Sequence, residues 1–206
     1  MDTLERFQQE CTVFFDSLSE QGRAPLVFGD GLSHRPVLML IGEAPGEQET
    51  LQGKPFVGKA GRNLTAFLET VGLDRTQLYV SNVVKIRPTK VSPAGRIVNR
   101  PPSHEEKELH APWLMREIAI VRPDALVTLG NVALQAFVQD TVGNRHGRWM
   151  RAVVSPPRSE AFTLPLFPLY HPASVIYNRS LSEVYQQDLE QLRDSLRADW
   201  NAQIDS

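Results

Sequence analysis

Cysteine is almost absent from this chain of 206 residues, in which Cys11 is the single example. An intramolecular disulfide needs two thiols, and an iron-sulfur cluster or a thiolate zinc site needs several. One cysteine therefore excludes the disulfide and every site that is built from several thiolates.

Long apolar runs are missing as well. No stretch of the sequence approaches the roughly 18 consecutive apolar residues that indicate a membrane-spanning helix. The first residues, 1–5, contain no basic region followed by an apolar run, which is the pattern of a secretory signal. We therefore expect no membrane segment and a soluble protein of the cytoplasm.

The chain also lacks a strong net charge, since its formal charge is -2 at pH 7. The composition alone does not indicate a nucleic-acid partner, so any basic surface must come from local clusters of charge. With 206 residues and 41% hydrophobic composition, the chain is long enough to bury one core and too short for two ordinary domains. We predict a single domain over residues 1–206.

Apolar periodicity predicts strands and helices in alternation. Short apolar runs indicate buried strands at 37–41, 78–84, 125–129, 148–154 and 164–170. Apolar residues at three- and four-residue steps indicate helices at 3–18, 61–71, 103–122, 131–138 and 181–200. This alternation predicts an α/β fold, a three-layer α/β/α sandwich around a mainly parallel sheet of four to five strands.

Four loops that follow predicted strands begin with polar or glycine-rich segments. They start at Gly42–Gly46, Asn82, Gly130–Asn131 and His171–Ser174. In a parallel sheet, ligands bind at the carboxyl ends of the strands. We expect these four segments to meet in one crevice.

A phosphate-binding loop is the obvious alternative interpretation of the glycine-rich segment 42–61. That alternative fails, because Lys54 is followed by Pro55 rather than by Ser or Thr, and Gln48 stands where the first glycine of the motif belongs. Taken alone, the segment is typical of a structural turn with solvated glutamates.

Phe56, Asn82 and His171 together suit the binding of a flat base. An extruded base needs a stacking partner, which Phe56 offers, and hydrogen bonds to its pairing edge. The Asn82 amide has both a donor and an acceptor, and His171 can donate to a carbonyl oxygen on which negative charge develops. Taken singly, each has a simpler interpretation: a core aromatic ring, a turn residue and a structural histidine.

The segment 85–102 is rich in proline and basic residues, and it predicts a long loop with a small hairpin at Ala94–Gly95. It contains no acidic residue, and its basic residues are Lys85, Arg87, Lys90, Arg96 and Arg100. Such a cluster suits phosphate binding that weakens with salt, and the alternative is a solvated surface loop.

These motifs, in their order and spacing, resemble those of the family 4 uracil-DNA glycosylases over roughly residues 25–195. The resemblance implies a monomeric, monofunctional glycosylase that flips uracil out of DNA and hydrolyses its N-glycosidic bond in base-excision repair. In that family, the equivalents of Phe56, Asn82 and His171 stack on, read and polarise the uracil.

The same resemblance implies the other site residues. Glu43 and Glu49 match acidic residues of the family's pocket, and one of them would stabilise the sugar cation and orient a water; the choice between them is open. Ala44 belongs to the substrate-binding set, and it stands where family 1 relatives have an aspartate.

Two segments match parts of the family that contact DNA. Lys85 and Arg87 belong to the basic loop, which over residues 88–99 is longer than its family counterpart. The segment 174–179 matches the loop that enters DNA in relatives, so Ser174, Tyr177 and Arg179 are candidate DNA contacts. The alternative is that this segment only anchors a loop to the core.

The chain departs from the family at its iron-sulfur cluster, which four cysteines hold in family 4 enzymes. Cys11 matches one of them, but Phe14, Ile86 and a residue near Ala111 stand where the other three are expected. We therefore predict no cofactor and no metal, with side-chain packing in place of the cluster.

Two alternatives to the glycosylase remain open. The first is a nucleic-acid or base-binding member of the superfamily that has lost catalysis. The second is a glycosylase for another deaminated base, hypoxanthine or xanthine, which a fold match alone does not distinguish.

Overall fold

A computed structural model describes residues 2–18, 25–178 and 180–198 of the chain. The strands in this part are β1 (Asp30–Gly31), β2 (Leu38–Gly42), β3 (Leu78–Asn82), β4 (Thr89–Val91), β5 (Ile97–Asn99), β6 (Ala125–Leu129), β7 (Met150–Val154) and β8 (Phe162–Leu169). The helices are α1 (Leu4–Ser17), α2 (Glu47–Gln52), α3 (Lys59–Val71), α4 (His104–Val121), α5 (Asn131–Gln135), α6 (Val142–Arg145), α7 (Pro172–Tyr177) and α8 (Leu181–Arg197).

The central sheet has the strand order β1-β3-β2-β6-β8-β7. Its four inner strands, β3, β2, β6 and β8, are parallel, and β1 and β7 pair antiparallel at the two edges. The predicted mainly parallel sheet is confirmed. It has six strands rather than four to five because β1, with only two residues, is too short to produce a periodic pattern.

Helices cover both faces of this sheet. Leu38 and Leu40 of β2 point to the face covered by α3 and α8, whereas Met39 and Ile41 point to the face covered by α4 and α5. Side chains alternate between faces along a strand, so a strand between two helical layers is buried throughout. The three-layer sandwich is therefore confirmed, and full burial of each large aliphatic side chain contributes about 1.5–3 kcal/mol.

Most predicted helices are present with shifted ends. α1 begins after Thr3, whose side chain accepts a hydrogen bond from the Arg6 amide, and α3 ends at Gly72, which has the left-handed φ of 74°. The predicted capping box of Ser103 and Glu106 opens α4. The helix predicted over 131–138 stops at Gln135, and the last helix stops at Arg197 rather than at residue 200, which lies outside the described residues.

Three short helices and one strand end differ from the sequence interpretation. The segments 42–61 and 171–179 were expected to be loops but contain α2 and α7, and α6 was not predicted. Helices of four to six residues are too short to show a helical period. The strand predicted over 78–84 ends at Asn82, while the expected hairpin forms between β4 and β5.

None of the described helices combines the length and the apolar character needed to cross a lipid bilayer.

Candidate active site

A cleft of about 550 Å³ opens at the carboxyl ends of the parallel strands. Glu43 and Ala44 line it after β2, Gly130 lines it after β6, and His171 and Ser174 line it after β8. This volume is within the range of small-molecule sites in proteins. The loop that follows β3 also reaches this cleft, through Pro88, Asn99 and Arg100, so all four predicted loops line one crevice.

Asn82 and Phe56 meet beside this cleft, at the end of β2. Gly42 pairs with Asn82 across the two strands, and a Cβ atom added to Gly42 would contact the Asn82 amide oxygen and lie 2.8 Å from Cζ of Phe56. Only glycine leaves room for both side chains at this point. Asn82 and Phe56 are buried and do not line the cleft, but they contact the strand end at Gly42, the residue before Glu43.

Phe56 has a backbone conformation that is unusual for its residue type. Its φ is 56°, in the left-handed region, and Gly61 has no Cβ where one would collide with the Phe56 carbonyl. Such a conformation costs of the order of 1–3 kcal/mol and is common at functional sites. The backbone thus holds the Phe56 ring against Gly42 at an energetic cost.

His171 caps α7 in a way that determines which ring nitrogen carries the proton. Its Nδ1 accepts a hydrogen bond of 3.1 Å from the Ala173 amide, so a neutral ring carries its proton on Nε2. Burial lowers the pKa of His171, which favours this neutral form. Gly130 lets the residue come close, since a Cβ there would lie 3.1 Å from the His171 Cβ. His171 is therefore a neutral N–H donor in the wall of the cleft.

The two candidate glutamates have different environments. Glu49 accepts hydrogen bonds from the Gly46 amide at 3.2 Å and from the Gly58 amide at 2.7 Å, so both its oxygens hold the glycine-rich segment together. Glu43 is half-buried in the cleft wall, and burial raises the pKa of its carboxyl group. A raised pKa suits a general base, so the geometry favours Glu43 over Glu49 for orienting water.

Lys85 does not contact DNA, and that prediction was wrong. Its side chain is 0% exposed, and its Nζ lies 2.6 Å from Glu117 Oε2 and 2.7 Å from the Asn82 carbonyl oxygen. Glu117 also accepts hydrogen bonds from the Tyr79 and Ser81 hydroxyls. Lys85 therefore belongs to a buried polar network that fixes the backbone of Asn82.

The other candidate DNA contacts are only partly described. Ser174 is exposed in the wall of the cleft. Arg87 is half-buried and donates to the Asn99 side chain at 2.7 Å. Arg179 lies outside the described residues, and nothing is described of the Tyr177 side chain, so their roles stay predictions.

Sequence reasoning missed two groups of site residues. Glu117 was overlooked, although an acidic residue on the apolar stripe formed by Leu114, Ile118 and Val121 was a visible signal. Asn99 and Arg100 also line the cleft, at the base of the hairpin, and no local pattern in the sequence places them there.

Comparison with known proteins agrees with this geometry. The model of the uracil DNA glycosylase superfamily matches residues 28–196, which is well over half of the chain. The chain belongs to the uracil-DNA glycosylase superfamily.

Two type-4 uracil-DNA glycosylases are similar to this chain over most of their length. The type-4 uracil-DNA glycosylase of Sulfurisphaera tokodaii is 32% identical over 202 residues, which cover 94% of this chain and 85% of the relative. That of Thermotoga maritima is 34% identical over 178 residues, which cover 85% of each. A DNA polymerase of Bacillus phage SP01 is 26% identical over 179 residues, which cover 85% of this chain but only 17% of the polymerase.

The residues of this chain do not fit the iron-sulfur cluster that the resemblance implies. Cys11 is buried, Phe14 packs on Trp113 with ring centroids 5.3 Å apart, and Phe15 stacks on His110 at 4.2 Å. Among the described residues, no group of three or more His, Cys, Asp or Glu side chains is arranged to hold a metal ion. Aromatic packing occupies the contact between α1 and α4, and the absence of a cofactor stays a prediction.

This packing has a consequence for acid stability. Burial and the nearby Lys85 ammonium lower the pKa of His110 to about 3, from an ordinary value of 6.5. As the pH falls, His110 of the unfolded chain is protonated near pH 6.5, whereas His110 of the folded protein is protonated only near pH 3. The contribution of His110 to stability is therefore present above pH 6.5 and is lost as the pH falls toward 3. We expect the free energy of unfolding to lose about 2 kcal/mol between pH 7 and pH 5 from this residue alone.

The check is urea unfolding of the native protein and of His110→Asn at both pH values. Asparagine keeps an acceptor for the Lys85 amide, which donates to His110 Nδ1, but it does not titrate in this range. The variant should therefore lose less stability than the native protein between pH 7 and pH 5. Equal losses would show that His110 does not titrate as its burial implies.

Proposed function

We propose that this protein is a uracil-DNA glycosylase that removes uracil from DNA in base-excision repair. The observation that carries the proposal is the pair of cleft residues His171 and Glu43, a neutral N–H donor and a carboxylate with a raised pKa. They lie in a cleft large enough for a nucleotide, in a chain that belongs to the uracil-DNA glycosylase superfamily.

His171 acts on the departing base. When the bond between C1′ of the sugar and N1 of uracil breaks, its electron pair stays with uracil, which leaves as an anion. The Nε2–H of His171 donates a hydrogen bond to the carbonyl oxygen on which this charge develops. A neutral donor is suitable because it stabilises the anion without giving up its proton.

Glu43 acts on the sugar. Loss of the base leaves positive charge at C1′ and the ring oxygen, which a nearby carboxylate stabilises. Water then adds its oxygen to C1′ and gives a proton to Glu43. Glu43 then releases this proton to solvent and the uracil anion takes one up, so the products are free uracil and an abasic site in an otherwise intact strand.

Asn82 and Phe56 provide recognition of the base, which requires that these two buried side chains beside the cleft become accessible when the base enters. The Asn82 amide donates to one carbonyl of uracil and accepts from its ring N–H, and the Phe56 ring stacks on the base. Lys85 fixes the main chain of Asn82, and Gly42 leaves room for both side chains. Ser174, Arg87, Tyr177 and Arg179 are the proposed contacts to the DNA strand.

The test is the release of free base from oligonucleotides of one sequence that contain a single uracil, hypoxanthine, xanthine or thymine. Mass spectrometry of the reaction should detect free uracil and an abasic strand from the first substrate only. Release of hypoxanthine or xanthine, without release of uracil, would show that this other base is the substrate. Binding of uracil-DNA without release of any base would indicate a non-catalytic member of the superfamily.

His171→Asn separates the catalytic role of His171 from its structural role. Asparagine caps helices well, so it can keep the hydrogen bond to the Ala173 amide, but it does not reach the position of Nε2. We expect the rate constant for uracil excision to fall about 100-fold, as on loss of a single oxyanion donor. The measurement is single-turnover kinetics together with a DNA-binding titration.

DNA affinity and the free energy of unfolding should change little in the same variant. A variant that excised uracil at the native rate, or that lost only DNA affinity, would remove His171 from the catalytic role.

A further inference from the structure

The hairpin of β4 and β5 stands beside the cleft and has no part in the mechanism above. Its register pairs Thr89 with Asn99, Lys90 with Val98 and Val91 with Ile97. Gly95 closes the turn with a left-handed φ of 74°.

Two large apolar side chains are exposed on this hairpin. Val91 is 71% exposed and Ile97 is 64% exposed, although they are opposite each other and form a cross-strand pair. Side chains two residues apart on a strand point to the same face, so Ile97 shares a face with Asn99, which lines the cleft. The apolar pair therefore extends the cleft wall by about 7 Å, the rise of two strand residues.

Basic side chains flank this apolar pair in the chain. Lys90 precedes Val91 and Arg96 precedes Ile97, both basic residues are exposed, and the sequence from residue 85 to residue 103 contains no acidic residue. The exposed part of the hairpin thus carries an apolar pair together with positive charge only.

The base of the hairpin is firmly fixed. The Arg100 guanidinium makes two hydrogen bonds to the Glu106 carboxylate, at 2.6 and 2.7 Å, and a third to the Thr89 carbonyl oxygen at 3.0 Å. Arg87 donates to the Asn99 side chain at 2.7 Å. The hairpin is held at its base beside α4, with its tip exposed, so its orientation is set before any ligand binds.

We propose that this hairpin is a second DNA-contacting element. Val91 and Ile97 pack against the bases next to the flipped nucleotide, and Lys90 and Arg96 bind the flanking phosphates. Apolar wedges of this kind unstack a base step and favour extrusion of a nucleotide from a duplex. This inference rests on the proposed glycosylase function, because it assigns part of the DNA surface of that same site.

The chemistry of the hairpin favours DNA over a protein partner. Stable protein interfaces bury about 800 Å² on each partner, which is far more than two exposed side chains provide. The exposed Lys90 and Arg96, with no acidic residue between residues 85 and 103, are complementary to a phosphate backbone. Continuity with the cleft wall also places the apolar pair where a duplex lies when its nucleotide enters the site.

The apolar pair is tested with the double variant Val91→Ser, Ile97→Ser. We expect its single-turnover rate of uracil excision from duplex DNA to fall about 10-fold, while the rate from single-stranded DNA changes less than about 2-fold, because only a duplex needs unstacking. The matched control is Val153→Ser, which removes a valine that is 56% exposed on the edge strand β7. The control should excise uracil at the native rate from both substrates.

The role of the two basic side chains is tested with the double variant Lys90→Gln, Arg96→Gln. Each lost phosphate contact lowers the slope of log K against log salt by about 0.9, so duplex binding by this variant should have a slope smaller by about 2. The control Arg158→Gln removes an exposed arginine in the loop between β7 and β8, at the other end of the sheet, and should keep the native slope.

Failure of this inference differs from failure of the proposed function. If the native protein excises uracil and both hairpin variants match it on duplex DNA in rate and in salt slope, the hairpin inference is wrong and the glycosylase stands. If the native protein excises nothing, the proposed function fails, and the salt slopes of duplex binding alone decide whether the hairpin contacts DNA. If the native protein is a dimer and the variant Val91→Ser, Ile97→Ser is a monomer, the inference is overturned. The apolar pair would then bind a second copy of the chain rather than DNA.

Discussion

Replacing Glu43 by glutamine should lower the rate constant for uracil excision by about 100- to 10,000-fold, the usual contribution of a positioned general base. The amide has nearly the shape of the carboxylate but neither accepts the proton of water nor stabilises a sugar cation. Because burial raises the pKa of Glu43, ionisation of its carboxyl group costs more free energy in the folded protein than in the unfolded chain. The neutral variant should therefore unfold with an unchanged or slightly larger free energy.

Glu49→Gln is the matched control, and we expect the opposite pattern from it. One glutamine oxygen cannot accept from both the Gly46 and Gly58 amides, and leaving one buried donor without its partner costs about 1–3 kcal/mol. Urea unfolding and single-turnover kinetics of both variants are the measurements. The two roles would be reversed if Glu43→Gln excised uracil at the native rate while Glu49→Gln lost most of its rate and none of its stability. Glu49 would then be the general base.

Replacing Lys85 by methionine should lower the free energy of unfolding by about 3–5 kcal/mol, the usual cost of removing one partner from a buried ion pair. The side chains of Lys85 and Glu117 are both 0% exposed and their charged atoms lie 2.6 Å apart. Methionine fills a similar volume, so the loss is electrostatic rather than a cavity effect: Glu117 remains as a buried charge without its cation. Denaturant unfolding at neutral pH measures it.

The double variant Lys85→Met, Glu117→Leu tests this explanation. Removing both charges leaves no unpaired ion, so its loss of stability should be smaller than the sum of the two single losses. The double variant will not regain the full free energy of unfolding, because the Tyr79 and Ser81 hydroxyls lose their common acceptor. Strictly additive losses would mean that the two charges do not stabilise each other.

The layout of the fold was predictable from local patterns. Short apolar runs such as 38–42 and 125–129 are fully buried strands, and the helical stripes between them cover the sheet. Because parallel strands end at one edge, the sequence also predicted that Glu43 and His171 would meet there. The edge strand Asp30–Gly31 could not be predicted, since two residues have no period.

The roles of individual charged residues could not be predicted from local sequence. Lys85 lies in a basic run and was interpreted as a phosphate contact, but its partner Glu117 is 32 residues away and only the fold brings them together. Glu43 and Glu49 were equivalent in the sequence. They became different only through the amides of Gly46 and Gly58, which bind one carboxylate and leave the other in the cleft wall.

Joint action of Glu43 and His171 in removing uracil from DNA is tested by a single cleavage experiment. A duplex with a single uracil is incubated with excess native protein, Glu43→Gln, His171→Asn or the control Val153→Ser, and abasic sites are then cleaved with hot alkali. We expect strand scission at the uracil with the native protein and the control, at rates about 100-fold or more above those of the two cleft variants. Absence of scission with the native protein, or equal rates in all four proteins, would contradict it.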